Sequence, residues 1–323
     1  MTNENKLLKP LDMWVPSEII VKIGKNMPKE GQDNFVQMSN DFYRMFRQPQ
    51  LLVTKLLEYV AFGNQDKVEQ LLKIHPELLL ERGTVTDYSG RTFKNITAFE
   101  YTLWALDVRY MAPMMIRCLP KNEDGEKIRE ALLHQFNSLE ENGISYTLDG
   151  KTHTEKHFDF KPLQEALKTY GTNYNHWNAN QRETYWCKVV GGAQRLLPSH
   201  VAQHYCDPET PFYPLPTFDK ENFLRTFIFY NWSTNQYETW FPLSKDQCGL
   251  GVNFGILRDD TIHAVAAPRL PAWPLGFSPL VDLVAITTLC TVRTADLELL
   301  KQQLGTPLQD IELISENNQH LIY

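Results

Sequence analysis

DYSGRTFKNITAFEYTLWALD, Asp87 to Asp107, is the stretch on which the fold turns. It opens on Asp87-Tyr88-Ser89-Gly90, a turn signal in which Asp bonds its own backbone and Gly accepts a positive φ. Thr97-Ala98-Phe99-Glu100 then has capping-box spacing. The Thr97 hydroxyl accepts from the Glu100 amide, and the Glu100 carboxylate accepts from the Thr97 amide. Phe99, Leu103 and Leu106 fall on one face of the helix this box opens. Met111 to Leu119 supplies a return helix, with Pro113 tolerated in its first turn and Pro120 just past its end.

A shorter echo lies upstream in LLEYVAFGNQDKVEQLL, Leu56 to Leu72. Gly63-Asn64 breaks one helix, Val68, Leu71 and Leu72 form the apolar face of the next, and Pro76 ends it. Glu58-Tyr59 and Glu100-Tyr101 occupy equivalent places in the two units. A helix–turn–helix that recurs in this way resembles the ankyrin repeat. The spacing is longer than the ankyrin unit of about 33 residues, and TFKN and ITAF stand where that repeat has TPLH. Two units are also too few for a free-standing solenoid, so these must lean on the rest of the chain.

The remainder reads as mainly α (α+β), in four regions. Residues 1–50 form an N-terminal helical segment in which Asn34 to Phe46 is amphipathic. Residues 51–120 hold the ankyrin-like hairpins, 121–206 a helical region, and 207–323 a smaller C-terminal α+β portion with its tail. Within these, Asp149-Gly150 marks a β-hairpin in SYTLDGKT. Asn180 to Leu197 is helical with Gly191-Gly192 as a weak spot. Leu224 to Asn231 and Tyr237 to Leu243 have strand composition around WSTNQ. DPETPFYPLPT, Asp207 to Thr217, is a crossing loop, as is the proline-rich run from Pro268 to Pro279. Leu280 to Leu304 is a helix closed by Gly305.

Charge and cysteine usage narrow the function. The chain has 323 residues, a net charge of −7 and 22% charged residues. It has no Lys/Arg run that would neutralise phosphates, so nucleic acid is not expected as a partner. Five widely spaced cysteines with no CxxC pair point to a reducing compartment. The opening MTNENKLLKPLDMW has no apolar h-region, so no signal peptide is expected. No run of about 18 apolar residues calls for a transmembrane helix.

Three constellations could carry chemistry. His200 and His204 stand at i and i+4 with Cys206 nearby, the spacing from which many zinc sites begin. The Glu of HExxH is missing, and the residues read equally as hydrogen-bonded helix positions, so no metal is assigned. Cys248, in DQCGLG, is a candidate nucleophile with His263 as its base, which needs a lowered thiol pKa and an imidazole in reach. Cys187 has the same ambiguity. Trp232 and Trp240 flank a hairpin as recognition or core residues. No phosphate-binding loop, dinucleotide fingerprint or nucleophile elbow is present, so no cofactor is expected.

VTDYSGRTFKNITAFEYTLWALD, EKHFDFKPLQEAL (Glu155–Leu167), CKVVGGAQRLLPSHVAQHYC (Cys187–Cys206), FYNW (Phe229–Trp232) and WFPL (Trp240–Leu243) together resemble a known family. It is that of the ankyrin-like effector proteins which intracellular gamma-proteobacterial pathogens deliver through a type IV secretion system. The resemblance implies delivery into the host cytosol and a host protein as partner. The acidic tail, Asp310, Glu312 and Glu316 before Leu321-Ile322-Tyr323, fits the C-terminal signal of such substrates. Tyr88 and Arg91, on the turn of the second unit, are the candidate contact residues. The alternative is a cysteine-dependent hydrolase or transferase acting on a host protein through Cys248 and His263.

Overall fold

The structure is a computed structural model describing residues 48–241, 249–258, 263–268 and 278–309. The expected helix at Asn34–Phe46, Cys248, the Pro271–Pro274 run and the acidic tail lie outside the described residues. The chain divides into two compact units, Met1–Val53 and Thr54–Tyr323. Of the first unit only residues 48–53 are described, so the sheets and the site belong to the second.

Helix α1 (Gln48–Ala61) is followed by α2 (Gln65–Leu72) behind a tight turn. Gly63 makes that turn at φ 67°, and Asn64 caps α2 by accepting from the Lys67 amide at 3.2 Å. A Cβ on Gly63 would stand 2.8 Å from the Gln203 amide nitrogen, the end of a side chain that can shift, so the position needs glycine for its positive φ. A 3-10 turn (Pro76–Leu80) leads to strands β1 (Gly83–Thr86) and β2 (Thr92–Ile96). The two expected helical units are therefore joined by a β-hairpin, and the Asp87–Arg91 turn is its tip. The sheet is antiparallel in the order β1-β2-β3-β4, completed by β3 (Ile144–Leu148) and β4 (Lys151–Glu155). Asp149 at φ 48° and Gly150 at φ 76° make the two-residue turn that Asp-Gly favours.

Helix α3 (Ala98–Ala105) opens on the expected capping box, and all eight of its residues are buried. Burying Glu100 is tolerable because its carboxylate is fully engaged. One oxygen accepts from the Thr97 amide at 3.1 Å, and Arg82 forks onto both oxygens. Trp104 and Tyr101 from α3 pack against Phe93 of β2, with ring centroids 4.7 and 5.1 Å away, and Tyr146 of β3 closes the cluster. These rings join the first sheet to the helices. Helices α4 (Met111–Arg117) and α5 (Glu123–Asn142) continue the layer, and α6 (Lys161–Asn173) succeeds β4.

The expected helix over Asn180–Leu197 is built in three pieces: α7 (Ala179–Tyr185), a π-helical turn (Trp186–Val190) and α8 (Gly191–Gln194). Gly191 is more than a weak spot. A Cβ there would stand 2.5 Å from the Phe254 carbonyl, so the helix needs glycine where that backbone crosses it. Next come α9 (Ser199–Cys206), β5 (Ile228–Asn231), β6 (Gln236–Thr239), β7 (Gly255–Leu257) and β8 (Val265–Ala267). The second sheet has the order β6-β5-β8-β7, with β5 and β8 parallel. The last helix, α10 (Ser278–Leu304), packs on α6 and α5. Arg129 of α5 donates to its terminal carbonyl at Leu304, and Lys301 pairs with Glu140. The described residues are mixed α+β, about 52% helical with two small sheets. No described helix is long and apolar enough to cross a membrane.

Candidate functional site

The hairpin tip sorts its residues by face. Asp87, Ser89 and Arg91 are buried, and Tyr88 between them is 37% exposed. Asp87 closes the turn. Its amide donates to the Arg91 carbonyl at 2.9 Å, and its carboxylate accepts from the Arg91 amide at 2.9 Å and from the guanidinium at 3.4 Å. Burial pushes the Asp87 carboxyl above its ordinary value, against the pull of Arg91. The guanidinium lies 5.3 Å from the Trp104 and Phe158 ring centroids, so it is held by aromatic faces. Arg91 is only 3% exposed and has no surface to offer a partner. The expectation that it contacts a partner is corrected: it fastens the turn to the core.

Tyr88 keeps its candidacy. Its ring is stacked between Phe62 (4.2 Å, 26°) and Phe241 (4.3 Å, 9°), with Phe227 edge-on at 5.9 Å. Phe62 lies in the turn between α1 and α2, so that turn meets the Asp87–Arg91 turn at this stack. Beside it opens a cleft of about 430 Å³, lined by Phe62, Asn64, Gln203, Phe223, Leu224 and Arg225. Leu224 and Ile228 are 51% and 48% exposed. A surface that leaves an aromatic and two aliphatic side chains open beside a polar cleft has the composition of a recognition surface.

Beneath the cleft lies a buried polar network that spacing alone does not reveal. Arg225 grips Asp107 with both terminal nitrogens (2.9 and 3.0 Å) and also donates to Gln65 (2.8 Å) and Gln203 (3.1 Å). Burial raises the Asp107 carboxyl, and the charge and hydrogen bonds of Arg225, with His200 and the Met111 amide, together outweigh it, leaving the group below its ordinary value. Arg293 of α10, fully buried, donates to Asp296 at 2.8 Å and to the Phe218 carbonyl at 3.1 Å. Its other terminal nitrogen lies 3.2 Å from His204 Nε2, and Asp296 also accepts from Arg109 at 2.9 Å. This network ties α9, α10 and the Arg225 loop into one body.

His200 and His204 sit inside it, each 2% exposed, with ring centroids 6.3 Å apart. Arginine is a donor only, so His204 Nε2 must accept from Arg293 and the imidazole is neutral. Burial pushes the His200 pKa down to about 3 and that of His204 well below the usual range, and the neighbouring Arg293 adds to both shifts. His204 stacks on Phe223 at 4.2 Å and 11°. Among the described residues no group of three or more His, Cys, Asp or Glu side chains is placed to hold a metal ion. The i, i+4 pair is a core feature of α9.

Cys248 lies outside the described residues. His263, its candidate base, is half-buried with its ring edge-on to Tyr237 at 5.1 Å. The Cys187 thiol donates to the carbonyls of Asn253 (3.2 Å) and Pro268 (2.9 Å), and burial pushes its pKa up to about 11. Burial likewise raises Cys118, Cys206 and Cys290. All four described thiols are therefore protonated and poorly nucleophilic at neutral pH. Trp240 is fully buried under Tyr205 at 5.4 Å, and Trp232 is 40% exposed.

The fold and its surface thus define a mixed α+β protein with a polar cleft, flanked by an aromatic stack, above a salt-bridged core. Residues 162–304 match the family model described as the CBUA0006 C-terminal domain. The chain is 43% identical over 272 residues to "Uncharacterized protein CBUA0006" of Coxiella burnetii, covering 79% of this chain and 76% of that one. The chain belongs to the CBUA0006 family. No solved structure matches it.

Proposed function

We propose that the protein is a bacterial effector, delivered by a type IV secretion system into the host cytosol, where it binds a host protein. The contact surface is the aromatic face formed where the turn carrying Phe62 meets the turn carrying Tyr88. The observation that carries the reading is the Phe62–Tyr88–Phe241 stack, with Tyr88 37% exposed at the rim of a cleft. The first unit, with its Gly63-Asn64 turn, acts as the ankyrin-like element that presents Phe62. Tyr88 is the anchor, a large amphipathic side chain already immobilised by its neighbours, so little rotamer entropy is lost on binding. Arg91 and Asp87 set the angle of the turn. The Asp107–Arg225 pair holds the cleft wall.

The test is a pull-down from host-cell lysate at physiological salt with the full chain and its Tyr88→Ala variant, after circular dichroism shows both folded. One protein retained stoichiometrically by the wild type and lost by the variant supports the reading. Equal retention by both would place the contact elsewhere. Delivery is tested separately with a reporter fusion in a strain lacking the secretion system: a host-cell signal that persists there contradicts the route.

A further inference from the structure

A second groove lies away from Tyr88 and shares no residue with the cleft beside it. It has a volume of about 550 Å³ and runs along α7 onto the π-helical turn. Its walls include Trp177, Tyr185, Asn178, Gln181, Thr184 and Lys188. The Trp177 and Tyr185 rings meet at 4.7 Å with a 40° tilt, forming an angled corner. Tyr170 backs both, at 6.1 and 6.3 Å, so the rings are braced before anything binds. Val189, on the last wall, is 42% exposed. Insertion of a π-turn into a helix shifts its face by a residue, and such turns concentrate at functional sites.

The polar groups of this groove are side-chain amides, hydroxyls and one ammonium, with no carboxylate among them. Asn178 Oδ1 accepts from the Gln181 amide at 3.0 Å, and Gln181 Oε1 accepts from the Asn178 amide at 2.9 Å. The reciprocal cap uses both carbonyl oxygens and satisfies those backbone amides, so the helix end is not itself the binding group. What remains on each side chain is the NH₂, a donor of two hydrogens. The Thr184 hydroxyl and the Lys188 ammonium add to these. Among the described lining residues none is a carboxylate, and Lys188 carries the charge.

We propose that this groove binds an acidic sugar, a pyranose bearing a carboxylate. An apolar C–H face of the ring packs into the Trp177–Tyr185 corner, where the tilt suits a puckered ring better than a flat base. Hydroxyl and ring oxygens accept from the two amides and Thr184. The carboxylate meets Lys188 in a charge-assisted bond. A lining of amides and hydroxyls with one cation and no carboxylate complements a hydroxylated anion.

The probes are glucuronate, with glucose as the neutral control and adenosine monophosphate as the nucleotide alternative. Each is titrated into the full chain while the Trp177 indole N–H resonance, assigned with Trp177→Phe, is followed by NMR. Glucuronate shifts that resonance saturably and binds about tenfold tighter than glucose. Lys188→Met, at an exposed position, removes the difference between the two sugars while the spectrum stays folded, and Trp177→Ala removes the binding. Equal response to glucose and glucuronate, tighter binding of the nucleotide, or no shift at millimolar glucuronate overturns the proposal.

Discussion

Acid should unfold this protein from the inside, through α9. His200 and His204 are neutral in the folded state, facing Asp107, Arg225 and Arg293, and His200 is pushed down to about 3. In the unfolded chain both titrate near 6.5. A histidine with a depressed folded pKa contributes full stability above the unfolded value. It loses that stability as the unfolded state gains its proton, down to the folded pKa. For His200 the window runs from about 6.5 to about 3. Each pH unit within it costs about 1.4 kcal/mol per histidine. Between pH 7 and pH 5 each therefore costs about 2 kcal/mol, and the pair about 4 kcal/mol. That is a loss on the order of 10 °C in Tm for a unit of this size. Asp107, held below its ordinary value, contributes stability that is fully present above the unfolded carboxylate value of about 3.9 and is lost only as the pH falls below it, so it adds little slope between pH 7 and pH 5. Urea midpoints at pH 7 and pH 5, for the wild type and the His200→Gln/His204→Gln double variant, measure the slope. The wild type falls steeply, and the double variant, whatever its absolute stability, falls by about 4 kcal/mol less. Equal slopes would refute the buried, neutral assignment.

The same core governs two other outcomes. Arg225→Met strands the Asp107 carboxylate, which is 5% exposed, and costs about 3–5 kcal/mol in urea unfolding; the Asp107→Asn/Arg225→Met double variant recovers part of that loss. Cys187, raised to about 11, holds about one thiolate per several thousand at pH 7.5, so iodoacetamide labels it slowly and the rate climbs tenfold per pH unit; fast labelling at neutral pH contradicts the two carbonyl contacts assigned to it.

Local features were legible in the sequence, and long-range ones were not. The Thr97–Glu100 box, the Asp149-Gly150 turn, the Gly63-Asn64 break and the helix over Leu280–Leu304 each rest on contacts within a few residues. Side-chain chemistry within one stretch is enough to infer them. The Asp87–Arg91 turn was legible as a turn, and its β1–β2 pairing is local, but the sheet this hairpin joins depends on β2 finding β3 some fifty residues on, which no local pattern states. Arg91 shows the cost. At a turn, arginine reads as solvated, and its burial depends on Trp104 and Phe158 closing over it. The histidine pair suffered the same way. Its i, i+4 spacing is common to a metal site, a helix surface and a buried stripe, and only Arg293, 89 residues away, decides among them. Arg225 gave no signal at all, because its partner Asp107 lies 118 residues earlier.

If a host protein sits on the face beside Tyr88, site-specific photocrosslinking inside host cells will capture it there. A photoreactive phenylalanine analogue replaces Leu224, on the cleft wall, in one strain and Val189, in the other groove, in a second. The expected result is a discrete higher-mass adduct from position 224, abolished by Tyr88→Ala, and none from position 189. An adduct from position 189 alone, or one from position 224 that survives Tyr88→Ala, would contradict the placement of the partner on this face.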